Sequence, residues 1–172
     1  MLVDTRTAIA RWICFFVLIL IAVTLQIMVF PRIGALPNPL VSVVAVVSLA
    51  VFAGPVGGVA AGFAGGLMCD ALLPHTEAYF TLTAMGAGAL TGFLCGRGKL
   101  LQKNFLSALV MTAASAIVIQ SVYVLCFHVA TGRAPIKAYL TEGLPVMLAS
   151  VLCVPFIYPL FRLVAKSFQE DD

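Results

Sequence analysis

Apolar residues occupy this chain in long blocks, separated by short breaks that hold most of its Lys, Arg, Asp and Glu. Blocks of roughly 20 residues are long enough to cross a ~30 Å hydrocarbon core as helices. The pattern predicts six, over Trp12–Phe30, Leu36–Ala53, Pro55–Leu73, Tyr79–Cys95, Phe105–Val129 and Tyr139–Val164. The second is short and the last is long, and Pro145, Pro155 and Pro159 are expected to kink or break the last one. The second and third helices meet at Gly54-Pro55 with almost no loop, which predicts a tight antiparallel hairpin. Proline is tolerated there because the N–H it lacks at a first helical position would be unpaired anyway.

Composition agrees with the pattern. Hydrophobic residues make up 62% of the 172, charged residues 10%, and the mean hydropathy is +1.12. A soluble domain carries about 25% charged residues. The expected fold class is therefore an all-α integral membrane protein, with residues 1–172 forming one six-helix transmembrane domain. Such a chain has no room for a soluble catalytic domain. Arg6 and Arg11 precede the first apolar run as they would in an export signal, but the run exceeds the ~7–15 residues of a signal core. It reads as an uncleaved first helix.

With six crossings both ends share a side. That side holds Arg6, Arg11, Arg97, Lys99, Lys103, Arg162 and Lys166, and the other holds Arg32, Arg133 and Lys137. The excess of basic residues places both termini in the cytoplasm. The net charge of +3 follows from these residues, and no basic face interleaved with aromatics suits nucleic acid.

Small residues are the most specific signal. From Gly57 to Gly66 eight of ten residues are glycine or alanine, and Gly58, Gly62 and Gly66 recur every fourth position. Gly88, Gly92 and Gly96 repeat the spacing in the next helix, with Ala84 extending the row. In water each glycine would weaken a helix by roughly 1 kcal/mol relative to alanine. In a bilayer the backbone must satisfy its own hydrogen bonds, and small side chains let a neighbouring backbone come close. These two rows predict helix packing, against each other or against a partner.

Asp70 lies one turn beyond the first row, near the outer end of the third helix. An ionisable group at membrane depth is a functional candidate. At the interface it would instead be solvated or cap the helix turn after Leu73. Gln26, Gln120 and His128 fall in the outward halves of their helices, and Glu142 opens the last; Gln120 and Tyr123 are spaced to share a face. These residues suit an outward-facing pocket or polar glue between helices. His75 and Glu77 belong to an outer loop and are expected to be solvated rather than metal-bound. Cys14, Cys69, Cys95, Cys126 and Cys153 form no CxxC pair and read as small buried hydrophobes. No catalytic constellation, metal site, cofactor or nucleotide-binding pattern is expected, and the chain is not expected to be an enzyme.

The run from Gly58 to Asp70, GxxxGxxGGLxxD in form, resembles the rod shape-determining MreD family of bacteria. So do the short helix beginning after Pro37-Asn38-Pro39 and the glycine-containing helix from Thr81 to Gly96, closed by a basic loop. The resemblance implies a non-enzymatic member of the cell-elongation machinery in the bacterial cytoplasmic membrane. Its partners would be a bitopic coiled-coil protein (MreC), the actin-like MreB and the polymerase and transpeptidase that build the lateral wall. It also implies a fold similar to the substrate-binding component of energy-coupling-factor transporters. On that reading the glycine faces receive a partner's membrane helix or a second copy of this chain, among membrane lipids, while Asp70 fixes register.

A second reading is such a transporter component itself. These components dock through an AxxxA-like pattern in the first helix, which Ala8, Ala10 and Ala22 do not supply, and their pockets carry more outward polar and aromatic groups than this chain offers. A third is a membrane enzyme or flippase using Asp70, with no second group to support it.

Overall fold

The computed structural model describes residues 2–33, 38–73, 79–96, 104–125 and 135–167. Nearly all of them are helical, and no strand occurs among them. The helices are α1 (Leu2–Thr24), α2 (Val41–Leu72), α3 (Tyr79–Gly96), α4 (Phe105–Tyr123) and α5 (Leu144–Ser167). A π-helical segment, Leu25–Val29, and a last turn, Phe30–Ile33, prolong α1. The turn Pro135–Ala138 and a second π-helical segment, Tyr139–Gly143, lead into α5.

Helix α2 is two rods. Gly54 has φ 74° and ψ −170°, a conformation that L side chains rarely adopt, and Pro55 follows it. A straight helix would separate Val46 and Gly65 by about 28 Å. Instead a Cβ at Gly65 would lie 3.7 Å from Val46 Cγ2, and one at Gly58 would lie 2.8 Å from Ala50 Cβ. Residues 41–53 (α2a) and 55–72 (α2b) are thus antiparallel arms, as the Gly54-Pro55 pair predicts. With α1, α3, α4 and α5 they make six helical rods among the described residues. One end of the bundle carries the Gly54 turn and the C-terminal end of α5. The other carries Asp70 and the first residues of α2a and α3.

Arm α2a occupies the centre. Residues 41–51 are all buried, a consequence of a sequence, VSVVAVVSLAV, that is apolar or small on every face. Val41, Ala45 and Leu49 pack with Phe15, Ile19, Val23 and Phe161 of α1 and α5. Val43 and Val47 join Ala87, Met111 and Ile119 of α3 and α4, and Val44 and Val51 join Ala108, Val154 and Tyr158 of α4 and α5. Phe15 stacks on Phe161 at 5.9 Å between ring centres, tying α1 to α5. The arm is about 20 Å long, shorter than the ~30 Å core. The expected crossing at Leu36–Ala53 is in this respect different: its helix is a core rod that begins at Val41 and meets protein on all sides.

Four helices are long and apolar enough to cross a membrane: Ile9–Arg32, Val41–Leu72, Phe105–Tyr123 and Tyr139–Ser167. Tyr79–Cys95 is a shorter apolar helix. These are compatible with a membrane protein. Pro155 and Pro159 lie inside α5 without ending it, so the expected break does not occur there. An irregularity does fall just ahead of Pro145, the first of the three prolines, at Tyr139–Gly143, where its missing N–H cannot continue the preceding turn. Cys69 and Cys95 are buried as expected, whereas Cys14 lies on the exposed face of α1; Cys126 falls outside the described residues.

The glycine rows face each other. A Cβ at Gly58 would stand 2.3 Å from Gly88 O, one at Gly62 2.5 Å from Ala84 O, and one at Gly66 2.4 Å from Thr81 Cα. From the α3 side, a Cβ at Gly88 would meet Gly58 O at 2.2 Å and one at Gly92 would meet Gly54 C at 2.4 Å. Each step of four residues along α2b is answered by a step of three or four back along α3, so the two backbones stay in contact over the whole pair. Gly58, Gly62, Gly66, Gly88 and Gly92 are therefore buried within this chain and offer no surface to a partner's helix. Gly96 is the last residue of α3.

Gly86 provides a control on the same helix, since nothing lies within 4 Å of a Cβ placed there. Gly88→Ala is expected to destabilise by about 1–3 kcal/mol through overpacking against backbone that cannot retreat. Gly86→Ala is expected to be neutral or stabilising by up to ~1 kcal/mol. Thermal unfolding of the full chain in non-ionic detergent measures both, and equal melting of the two variants would contradict the packed seam.

Candidate functional site

The polar chemistry gathers at the Asp70 end, and it begins with backbone. The first N–H groups of a helix have no partner inside the helix. Those of α2a and α3 lie among apolar rods, where an unpaired donor costs several kcal/mol. Leu40, at the N-cap of α2a, supplies no side-chain cap. Other rods supply the acceptors.

Gln26 is 2% exposed, and its Oε1 accepts hydrogen bonds from Ser42 N–H at 2.8 Å and Ser42 Oγ at 2.7 Å. It sits in the π-helical segment of the first rod, where Phe30 N–H bonds to Leu25 O five residues back. Such a segment shifts the angular position of the residues around it. Ser150 of α5 caps the same terminus: its Oγ accepts from Leu40 N–H at 2.8 Å and donates to Val146 O at 2.7 Å.

Asp70 caps α3 from the neighbouring arm. Its Oδ1 accepts from Phe80 N–H at 3.0 Å, and its Oδ2 from Thr81 N–H at 2.7 Å and Thr81 Oγ1 at 2.6 Å. A carboxylate at a helix N-terminus also opposes the positive end of the helix dipole. Asp70, on α2b, therefore caps the first turn of α3 rather than a turn after Leu73. Together with the glycine seam it sets the register of α2b against α3.

Beside these caps is a cavity of about 340 Å³. Its polar lining comes from Gln26, Asn38, Tyr79, Gln120, Tyr123 and Glu142, and its apolar lining includes Leu40, Phe80 and Val146. Gln120 is buried on α4, Glu142 lies on the π-helical segment before α5, and Tyr79 opens α3. The Tyr79 hydroxyl donates to Ile119 O, and its ring stands 6.0 Å from that of Tyr123 and 5.4 Å from that of Phe80. The arrangement offers amide, phenol and carboxylate groups around a small apolar chamber, which is the usual make-up of a small-molecule site.

The structure thus brings together Gln26, Gln120, Tyr123 and Glu142, four of the residues that hydropathy position singles out. His128, His75 and Glu77 lie outside the described residues. Sequence reasoning missed Asn38, Tyr79 and Phe80. Asn38 precedes a helix and the two aromatics begin one, so position at a helix start on the same side was the available signal. The lining is richer in aromatic and polar groups than the sequence suggests. Among the described residues no group of three or more His, Cys, Asp or Glu side chains could hold a metal ion.

Asp70→Asn keeps an acceptor oxygen but loses the charge, and is expected to cost about 1 kcal/mol. Asp70→Leu leaves two amide donors and a hydroxyl without their acceptor and is expected to cost about 2–4 kcal/mol. Unfolding midpoints in detergent rank the variants, and faster amide exchange at Phe80 and Thr81 localises the effect; unchanged exchange would remove Asp70 as the cap. No protein-family model, curated protein or solved structure matches this chain.

Proposed function

We propose that this protein is a non-enzymatic membrane scaffold of the bacterial cell-elongation machinery, of the kind the MreD resemblance implies. In this reading the six rods form an S-component-like bundle in the cytoplasmic membrane, with both termini on the cytoplasmic side that the Lys and Arg distribution indicates. The bundle holds a bitopic coiled-coil partner resembling MreC and, with it, MreB and the wall-synthesis enzymes.

The observation that supports this reading is the use made of the Gly58–Asp70 motif. Its glycines lock α2b to α3 backbone to backbone, and its carboxylate caps α3. The motif that carries the resemblance builds a rigid pair of rods, which is what a platform for other membrane helices requires. Because the glycine rows are closed, a partner docks on the outer faces instead. Ile13, Phe16, Val17 and Leu20 of α1 are exposed large apolar side chains of that kind.

The cavity beside Gln120 and Glu142 favours a second reading: a substrate-binding component of an energy-coupling-factor transporter, taking a vitamin-sized molecule. Its volume lies at the small end of ordinary ligand pockets.

Purification of the tagged protein from its own membranes in mild detergent, followed by mass spectrometry, separates the two. The expected companions are a single-span coiled-coil protein and wall-synthesis enzymes. A pair of ATPases with a membrane coupling subunit would overturn the scaffold reading in favour of the transporter.

A further inference from the structure

The opposite end of the bundle holds a second cavity, of about 400 Å³, between the early turns of α1 and the end of α5 under the Gly54 turn. Three cations line it: Arg11 from α1, and Arg162 and Lys166 from α5. Arg162 and Lys166 are four residues apart and share a face of α5, so the two helices present their positive charge to one space. Among the described residues, Trp12, Phe15, Phe52, Ala53 and Ala165 complete the wall. The Trp12 ring reaches α2b, where a Cβ at Gly57 would lie 3.0 Å from its Cη2, and it meets the Phe15 ring edge-on at 6.2 Å.

We propose that this cavity binds the phosphodiester headgroup of an anionic phospholipid. Guanidinium groups match phosphate oxygens with paired hydrogen bonds, and lysine adds a mobile point charge. Basic pockets between membrane helices are suited to anionic headgroups. A tryptophan at the rim is a residue favoured at the membrane–water interface. Flanking Arg162, Leu160 and Leu163 of α5 are exposed apolar side chains on which acyl chains can lie. A free phosphate or a soluble anion would have no use for these faces, so the site is assigned to a lipid. The inference needs the bundle to lie in a membrane, and it holds whichever of the two functional readings is right.

The test uses the full chain, purified in non-ionic detergent, stripped of lipid and titrated with phosphatidylglycerol or phosphatidylcholine. Native mass spectrometry and melting temperature report binding. Phosphatidylglycerol is expected to remain bound and raise the melting temperature, and phosphatidylcholine is not. Each basic group near a headgroup contributes about fivefold in affinity, so Arg11→Gln with Arg162→Gln is expected to weaken phosphatidylglycerol binding about 25-fold. Arg32→Gln with Lys137→Gln removes the same charge outside this cavity and is expected to leave binding unchanged. If the double variant melts below the wild type before lipid is added, the single variants Arg11→Gln and Lys166→Gln carry the test, each with about a fivefold loss. Equal binding of the two lipids, or wild-type affinity in the cavity variants, would overturn the proposal. So would inorganic phosphate binding as tightly as phosphatidylglycerol, which would assign the site to a free anion.

Discussion

Two helix backbones, α2b and α3, meet with no side chains between them, and the rest of the bundle depends on that contact. Dispersion forces and close packing are the main attractions available between helices in lipid, where the hydrophobic effect does not favour helix over acyl chain. They act only at short range. Gly58, Gly62 and Gly66 on one side and Ala84, Gly88 and Gly92 on the other keep the distance short along the whole pair. A single methyl group at the seam would have to displace a peptide group. The seam in turn fixes where the Gly54 turn and the Asp70 end lie, and Val46 of the central arm packs over it, against both Gly65 and Gly88.

The central arm creates the second demand. Once residues 41–51 are enclosed by protein, the first turn of the helix is buried. Its first donors must be met by side chains from distant parts of the chain, Gln26 and Ser150, and the same logic brings Asp70 to α3. Polar residues that hydropathy marks as intrusions are thus structural necessities at one end of the bundle. Their gathering also leaves a polar-lined chamber beside them, so the capping network and the candidate binding site share one place and the residues Gln26, Leu40 and Phe80.

The two ends differ in kind. At the Asp70 end Gln26, Ser150 and Asp70 are engaged with backbone N–H groups. At the Gly54 end the charges of Arg11, Arg162 and Lys166 border an open cavity rimmed by Trp12. In the proposed scaffold, the first end would supply rigidity and the second would meet the headgroup layer.

Much of this was legible in the residues. Long apolar blocks with few charges determine helices, because a chain in lipid has to satisfy its own backbone. Gly54-Pro55 determines a reversal, because only a residue free to take positive φ followed by one that begins a helix fits so short a connection. Glycine at every fourth position determines a close helix contact but leaves its partner open, since the same stripe fits an internal or an external helix equally well. Only the tertiary structure decided that the two rows meet each other, that VSVVAVVSLAV is the enclosed rod, and that Asp70 is a cap rather than a free carboxylate. It also decided that Gln26, Asn38, Tyr79, Gln120 and Glu142 share one chamber. Periodicity describes one helix at a time, whereas a cap or a cavity is made by groups that come from several, and their meeting is set by the angles at which the rods pack.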